Sequence, residues 1–259
     1  MLKNYVIPTH MLIGVRKGAT SWCWKQLRSH PDIQTPFQKE IYFFNQFYGK
    51  GLKWYARQFR RIKKVVIDTT PDYFNEICAD RIKLHFPHMR MLVCLRNPIE
   101  RAYSHFKFAY FIHNNRNNFK RLWKKNWCEI KTRGLYDIHL KVFHDRFPKN
   151  NLFVMFNDDI KKDSKNFVDN MLDYIGVKKV YDDYIDKRWM PGLNSYWRSI
   201  GNKKVENRYE EYKEYHKTRI MEDDDFKIMK DYYEESIFNL GKIVNRDLSH
   251  WLIRDNIEA

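Results

Sequence analysis

Four short apolar runs punctuate the first two thirds of the chain: "MLIGV" (11–15), "VVID" (65–68), "MLVCL" (91–95) and "LFVMF" (152–156). None alternates polar with apolar residues, which is the pattern of short strands covered on both faces. Between them the spacing turns helical, as in Trp24, Leu27 and Arg28, then Leu52, Tyr55, Ala56 and Phe59, then Leu135, Ile138, Val142 and Phe143. Strand–helix–strand alternation predicts a central parallel sheet flanked by helices, a three-layer α/β/α arrangement. The last third, about 160–259, reads as mostly helical. "KNFVDNMLDYIG" ends on Gly176 as a C-cap, and "FKIMKDYYEESIFNLGKIV" is a long amphipathic run. No repeat or Pro/Gly/Ser-rich linker interrupts the pattern, so 1–259 is expected to be a single domain.

With 43% hydrophobic and 17% aromatic residues, the 259-residue chain can bury a sizeable core, which excludes a disordered protein. The formal charge of +16, from 48 Lys+Arg against 32 Asp+Glu, points to anionic company: a nucleotide, nucleic acid, an acidic glycan or an anionic membrane. Cys23, Cys78, Cys94 and Cys128 are scattered and form no C-x-x-C pair, which predicts reduced thiols in a reducing compartment. His85 and His88 lack companion ligands, so no metal site is expected there. No apolar run reaches membrane-spanning length, and the N-terminus lacks a signal-peptide plan; a soluble, cytoplasmic protein is expected.

The first apolar run ends in "GVRKGATSW" (14–22). It has the small residues and lysine of a phosphate-binding loop, but Lys17 precedes Gly18, whereas an ATP-type P-loop places lysine after its second glycine. The helix that follows is predicted to reach about His30, before Pro31. Its unpaired amides and positive dipole end favour an anion, with Gly18 allowing close approach, Thr20 and Ser21 adding hydroxyls, and Lys17 adding charge. An ordinary strand–helix turn would use the same glycine.

After the third run, "LRNPIERAYSHF" (95–106) supplies Asn97 as N-cap, Pro98 at N1 and Glu100 at N3, close to a capping box. That leaves Arg96, at the carboxyl end of a strand, and Ser104, two turns along the helix, as candidate phosphate ligands. In "KEIYFFN" (39–45), Phe43 and Phe44 read as a core-facing pair. Glu40 is either half of a salt bridge or a general base whose pKa is raised by partly apolar surroundings.

Together these segments resemble the sulfotransferases that use 3′-phosphoadenosine 5′-phosphosulfate (PAPS), in particular the heparan-sulfate and bacterial carbohydrate branch. "GVRKGATS" is similar to that family's 5′-phosphosulfate loop, and the resemblance implies that Arg16, Lys17, Gly18, Ala19, Thr20, Ser21 and Trp22 bind the donor, in a P-loop-like fold. "LRNPIERAYSHF" resembles the 3′-phosphate motif, with Arg96 and Ser104 at the phosphate positions. "KEIYFFN" resembles the segment of the catalytic glutamate, which falls on Glu40. "TTPDYF" (69–74) resembles the next acceptor-side loop, and "LGKIVNRDLSHWL" (240–252) the closing helix and tail of bacterial members. "NSYWRSIG" (194–201) resembles a late nucleotide loop, giving Arg198 and Ser199, with Trp197 where proline is expected. Tyr42 and Asn45 stand where some heparan-type members have His and Asp, and Thr69 lies where a lysine is often found.

The resemblance implies in-line sulfuryl transfer from PAPS, with PAP as product and no metal, to a hydroxyl or amine of an acceptor. That acceptor is expected to be a saccharide, including an acidic one, rather than nucleic acid. Glu40 would be the base, and Lys17 the cation on the leaving phosphate. That no Walker-B-like carboxylate follows a strand fits a reaction without metal, with Asp68, the last residue of the second run, as the carboxylate to watch. The basic clusters "RQFRRIKK" (57–64) and "FKRLWKKNW" (119–127) either guide an acidic saccharide, stack on sugar rings or bind nucleic acid, or else form solvated helix faces, with Trp123 and Trp127 inward at i, i+4. Two alternatives stay open: a kinase with a degenerate loop, and a non-catalytic polyanion-binding protein.

Overall fold

All four apolar runs are strands in the computed structural model, which describes residues 5–36, 38–59, 63–113, 117–181, 211–212, 214–215 and 217–256. They are β1 (His10–Gly14), β3 (Val65–Asp68), β4 (Arg90–Leu95) and β5 (Leu152–Phe156). A fifth strand, β2 (Ile33–Gln34), is only two residues long, too short to leave a periodic signal. The sheet is parallel, in the order β2-β3-β1-β4-β5, as the apolar, non-alternating runs require. The contacts divide the chain into two compact units, Met1–Leu95 with Lys141–Pro191, and Arg96–Leu140 with Gly192–Ala259.

The first unit holds the sheet. Crossovers run through α1 (Thr20–Ser29), α2 (Gly51–Ala56) and α3 (Glu76–His85), and α6 (Tyr136–Arg146) enters this unit at Lys141. β5 is followed by α7 (Asn157–Lys162) and α8 (Ser164–Ile175). One face of the sheet packs Leu12, Ile67, Leu92 and Cys94 against Leu27 of α1 and Met171 and Leu172 of α8, all at most 1% exposed. Gly176 caps α8 in the left-handed region (φ 83°), its amide bonded to Leu172 O at 2.9 Å, as expected for a C-terminal glycine. β1 breaks register with β4 between Leu12 and Gly14, and there the chain leaves the sheet to build the loop before α1.

The second unit is helical: α4 (Pro98–Ile112), α5 (Phe119–Lys124), the start of α6, and the 22-residue α9 (Asp223–Val244). Asn97 caps α4 by accepting from Ile99 N at 2.9 Å, and its side-chain amide donates to Trp251 O. Trp123 turns inward, stacking on Phe119 and meeting Tyr232 and Tyr233. Trp127 does not continue the helical spacing. α5 ends at Lys124, Asn126 takes φ 47°, and Trp127 packs edge-on against His113 instead.

Candidate active site

The loop after β1 is a backbone cradle. Val15 N bonds Cys94 O at 3.1 Å, rooting the loop on β4, and Gly18 N bonds Val15 O at 2.9 Å, closing the turn. A Cβ on Gly18 would lie 2.4 Å from Cys94 O and 2.7 Å from Val15 Cγ2, so only glycine fits. Lys17 (φ 71°) and Ala19 (φ 67°) sit in the left-handed region on either side of it. Ala19 O takes the amides of Trp22 and Cys23, while the amides of Ala19, Thr20 and Ser21 have no backbone partner among the described residues. Amides in such a winding turn at a helix start form a concave anion site, and the first turn of α1 holds no acidic residue to compete. Thr20 is buried and Ser21 half-buried. The Trp22 indole points away from this cradle into the core, edge-on to Phe167 at 5.7 Å.

Glu40 is held against this loop by the segment after β3. Thr69 Oγ1 donates to Lys39 O at 2.7 Å, Thr70 Oγ1 accepts from Ile41 N at 3.0 Å, and the Tyr73 hydroxyl accepts from Phe43 N at 2.8 Å. Three backbone ties at alternating residues pin the strip 39–43, and Tyr73 N bonds Ile13 O at 3.1 Å, tying the segment after β3 to β1. Asp68 serves this scaffold: it is fully buried and accepts from Thr70 Oγ1 (2.7 Å) and the Tyr55 hydroxyl (2.8 Å). Burial pushes its carboxyl up to about 6, although these hydrogen bonds pull the other way.

Both oxygens of Glu40 are engaged. Lys39 Nζ bonds Oε1 at 2.7 Å and, also at 2.7 Å, Ser21 Oγ of the loop; the Tyr42 hydroxyl donates to Oε2. Tyr42 adopts φ 55°, an uncommon conformation for an aromatic residue, with its carbonyl taken by Gln46 N and Phe47 N. Arg16 forms a two-pronged ion pair with Asp72, its Nε 2.8 Å from Oδ1. Burial alone would raise the Glu40 carboxyl, but Lys39, with Tyr42 and Arg16, outweighs it and holds the group below its ordinary range. The expected rise from apolar surroundings is therefore reversed: the carboxylate lies in a nest of donors. Burial, reinforced by Glu40, raises the Tyr42 phenol far above its ordinary value.

The structure thus brings Arg16, Ser21 and Glu40 together, through Lys39, Tyr42 and Asp72, beside the turn closed at Gly18. The salt bridge that the sequence offers for Glu40 is made, with Lys39, whereas the sequence reading gives Tyr42, two residues on, and Asp72, within "TTPDYF", no part at Glu40 or the loop. Lys17 is half-buried in the loop. In the second unit, Arg96 Nε bonds Glu100 at 2.7 Å, so Glu100 pairs with Arg96 rather than serving α4 alone. Ser104 is 9% exposed one face along α4, and Lys107, one turn on, is lowered to about 8 by burial and the Arg96 charge. Arg198 and Ser199 lie outside the described residues. His85 bonds the Tyr48 hydroxyl at 2.6 Å. Among the described residues, no helix is long and apolar enough to cross a membrane.

The family described as "Sulfotransferase domain" matches residues 8–191. Human heparan sulfate glucosamine 3-O-sulfotransferase 6 is 27% identical over 187 residues, covering 68% of this chain and 54% of its own length. Membrane-associated sulfotransferase kil1 of Dictyostelium discoideum is 31% identical over 113 residues, covering 41% of this chain and 24% of its own. The chain spans about half the length of the heparan sulfate relatives it matches. Among solved structures, a sulfotransferase from Alicyclobacillus acidocaldarius superposes with a TM-score of 0.73 at 20% identity, over 95% of this chain and 99% of that one, and bears out the three-layer α/β fold.

Proposed function

Because the chain belongs to the sulfotransferase domain family, we propose that it transfers a sulfuryl group from PAPS to a hydroxyl or amine of a carbohydrate, with Glu40 as general base. The observation that carries this is the carboxylate of Glu40 suspended beside an anion-binding loop and joined to it through Lys39 and Ser21. A bare polyanion-binding protein has no use for a carboxylate pinned at three backbone points, which would repel its ligand.

The donor supplies an activated sulfuryl group whose bond to the phosphate oxygen breaks as the acceptor's oxygen or nitrogen bonds sulfur. The amides of Ala19, Thr20 and Ser21, with Lys17, stabilise the negative charge that collects on the departing phosphate oxygen; losing one such donor commonly costs about 10²–10³ in rate. Glu40 takes the proton released by the acceptor, an effect of about 10²–10⁴. Its depressed pKa keeps it ionised, and so able to accept a proton, well below neutrality. Arg96 and Ser104 hold the 3′-phosphate and distinguish this donor from nucleotides without one. The names of the relatives, which specify a heparan sulfate glucosamine, support a saccharide acceptor, and the +16 charge favours an acidic one. The cysteines are free thiols, Cys23, Cys78 and Cys94 buried, which supports a reducing, cytoplasmic setting.

Calorimetry with adenosine 3′,5′-bisphosphate in a chelator tests the donor. Tight binding by the wild type and by Glu40→Gln alike is the expected result. Binding only of ATP with Mg²⁺ would favour a kinase, and salt-sensitive glycan binding without any affinity for the bisphosphate would favour the polyanion binder.

A further inference from the structure

Lys39 is a buried lysine whose ammonium faces both the donor loop and Glu40. Its side chain is 8% exposed, and a lysine is seldom buried this far unless its ammonium is paired and fully bonded. Two of its three N–H donors are placed, each at 2.7 Å: one on Ser21 Oγ, in the first turn of α1, and one on Glu40 Oε1. Its own backbone is fixed through Thr69, which donates to its carbonyl. The ammonium is therefore a bolt between the donor loop and the carboxylate. Among the described residues, no other hydrogen bond of Glu40 leads to the loop hydroxyls: Tyr42 holds the opposite oxygen, and Arg16 is paired with Asp72.

We propose that Lys39 is a positioning residue for the reaction, setting the direction and ionisation of Glu40 and holding it in register with the loop that receives the sulfuryl donor. This rests on Glu40 being the base. The groups facing the carboxylate are the ammonium of Lys39, the phenol of Tyr42 and the guanidinium of Arg16, the last with Asp72 behind it. Of the two cations, Lys39 is the one in direct contact, and its attraction is the largest of the influences that favour ionised Glu40. Without it, only the Tyr42 phenol and the Arg16 charge still oppose burial, so Glu40 titrates at higher pH and one oxygen loses the bond that orients it.

There is a consequence for order. Ser21 shares Lys39 with Glu40, so an anion settling on the Ser21 amide and hydroxyl draws the ammonium toward the loop and loosens its hold on Oε1. Donor binding then frees that oxygen for the acceptor's proton, and Glu40 becomes a stronger base only once there is a sulfuryl group to transfer.

The test uses the full chain with Lys39→Met, which keeps the buried stem and removes the charge, and Lys39→Arg, which keeps the charge. Two readouts are needed. First, the side-chain carboxyl of Glu40 is followed by NMR in protein carrying carbon-labelled glutamate, its resonance assigned by its loss in Glu40→Gln. We expect the Glu40 titration to move to higher pH in Lys39→Met and to stay near the wild-type position in Lys39→Arg. Second, kcat for sulfuryl transfer should fall by about 10²-fold in Lys39→Met, the size of a lost orienting contact, with its acid limb displaced to higher pH and the donor KM changed far less. Lys39→Arg should recover most of that loss. A Glu40 titration unchanged in Lys39→Met overturns the inference, as does a fall in kcat with an unmoved acid limb, the mark of a merely structural lysine. Should Lys39→Met fail to fold, Lys39→Gln, which removes the charge but keeps a hydrogen-bond donor, answers the same question. Normal turnover by Glu40→Gln would instead sink the base assignment, and the NMR titration would still decide whether Lys39 governs this carboxyl.

Discussion

Replacing Gly18 by alanine tests whether the cradle after β1 works through its backbone. The added methyl would meet the Cys94 carbonyl oxygen at 2.4 Å, Val15 Cγ2 at 2.7 Å and Val15 O at 3.0 Å. Ordinary contacts lie near 3.5 Å, so the loop must retreat from β4 by about 1 Å. The Cys94 carbonyl cannot readily give way, because Cys94 is held in the β4–β5 ladder opposite Met155. Overpacking of this kind costs roughly 1–3 kcal/mol of stability. The functional cost is larger: a 1 Å misplacement of positioning groups is worth about 10² in rate. Calorimetry with adenosine 3′,5′-bisphosphate, beside thermal unfolding, separates the two effects. We expect Gly18→Ala to fold with a lowered Tm and to bind the bisphosphate at least tenfold more weakly. Wild-type affinity in a variant whose Tm has fallen would show that the cradle does not hold the donor.

Other predictions follow from the scaffold and the second unit. Thr70→Val leaves the buried amide of Ile41 without its acceptor, at about 1–3 kcal/mol, and should lower kcat while leaving bisphosphate affinity nearly intact; equal loss of both would deny that Thr70 serves Glu40. Asp68 holds a proton up to about pH 6 in the folded state but only to the ordinary carboxylate range when unfolded. Its contribution to stability therefore falls as pH rises through that window and is flat above it. The amplitude is roughly 2–3 kcal/mol, two pKa units at 1.36 kcal/mol each, and urea unfolding at a series of pH values should show this slope in the wild type and lose it in Asp68→Asn. Arg96→Ala should weaken adenosine 3′,5′-bisphosphate binding far more than adenosine 5′-phosphate binding; parallel losses would remove Arg96 from the 3′-phosphate.

The strands and most helices were legible because their signals are local. Buried parallel strands announce themselves as unbroken apolar runs, and α8 carries its own stop signal in Gly176. The loop was legible for the same reason: lysine, glycine and hydroxyls lie within a few residues of one another. What escaped was set by contacts between segments distant in sequence. Thr69, Thr70 and Tyr73 matter because β3 lies close to the strip that carries Glu40, some 30 residues earlier in the chain. The pKa of Glu40 was misjudged because the apolar neighbours Phe43 and Phe44 are visible in sequence, whereas Tyr42 reaching back and Lys39 bridging to Ser21 are properties of the folded turn. Trp127 was misplaced because the left-handed residue Asn126 ends the helical register before it.

The most direct test of the central claim is transfer of a radiolabelled sulfuryl group from PAPS to an acidic oligosaccharide, run in chelator with wild-type protein and with Glu40→Gln. Label should pass to the saccharide with the wild type, while Glu40→Gln binds the bisphosphate product but transfers nothing. Transfer at the wild-type rate by Glu40→Gln would contradict the account.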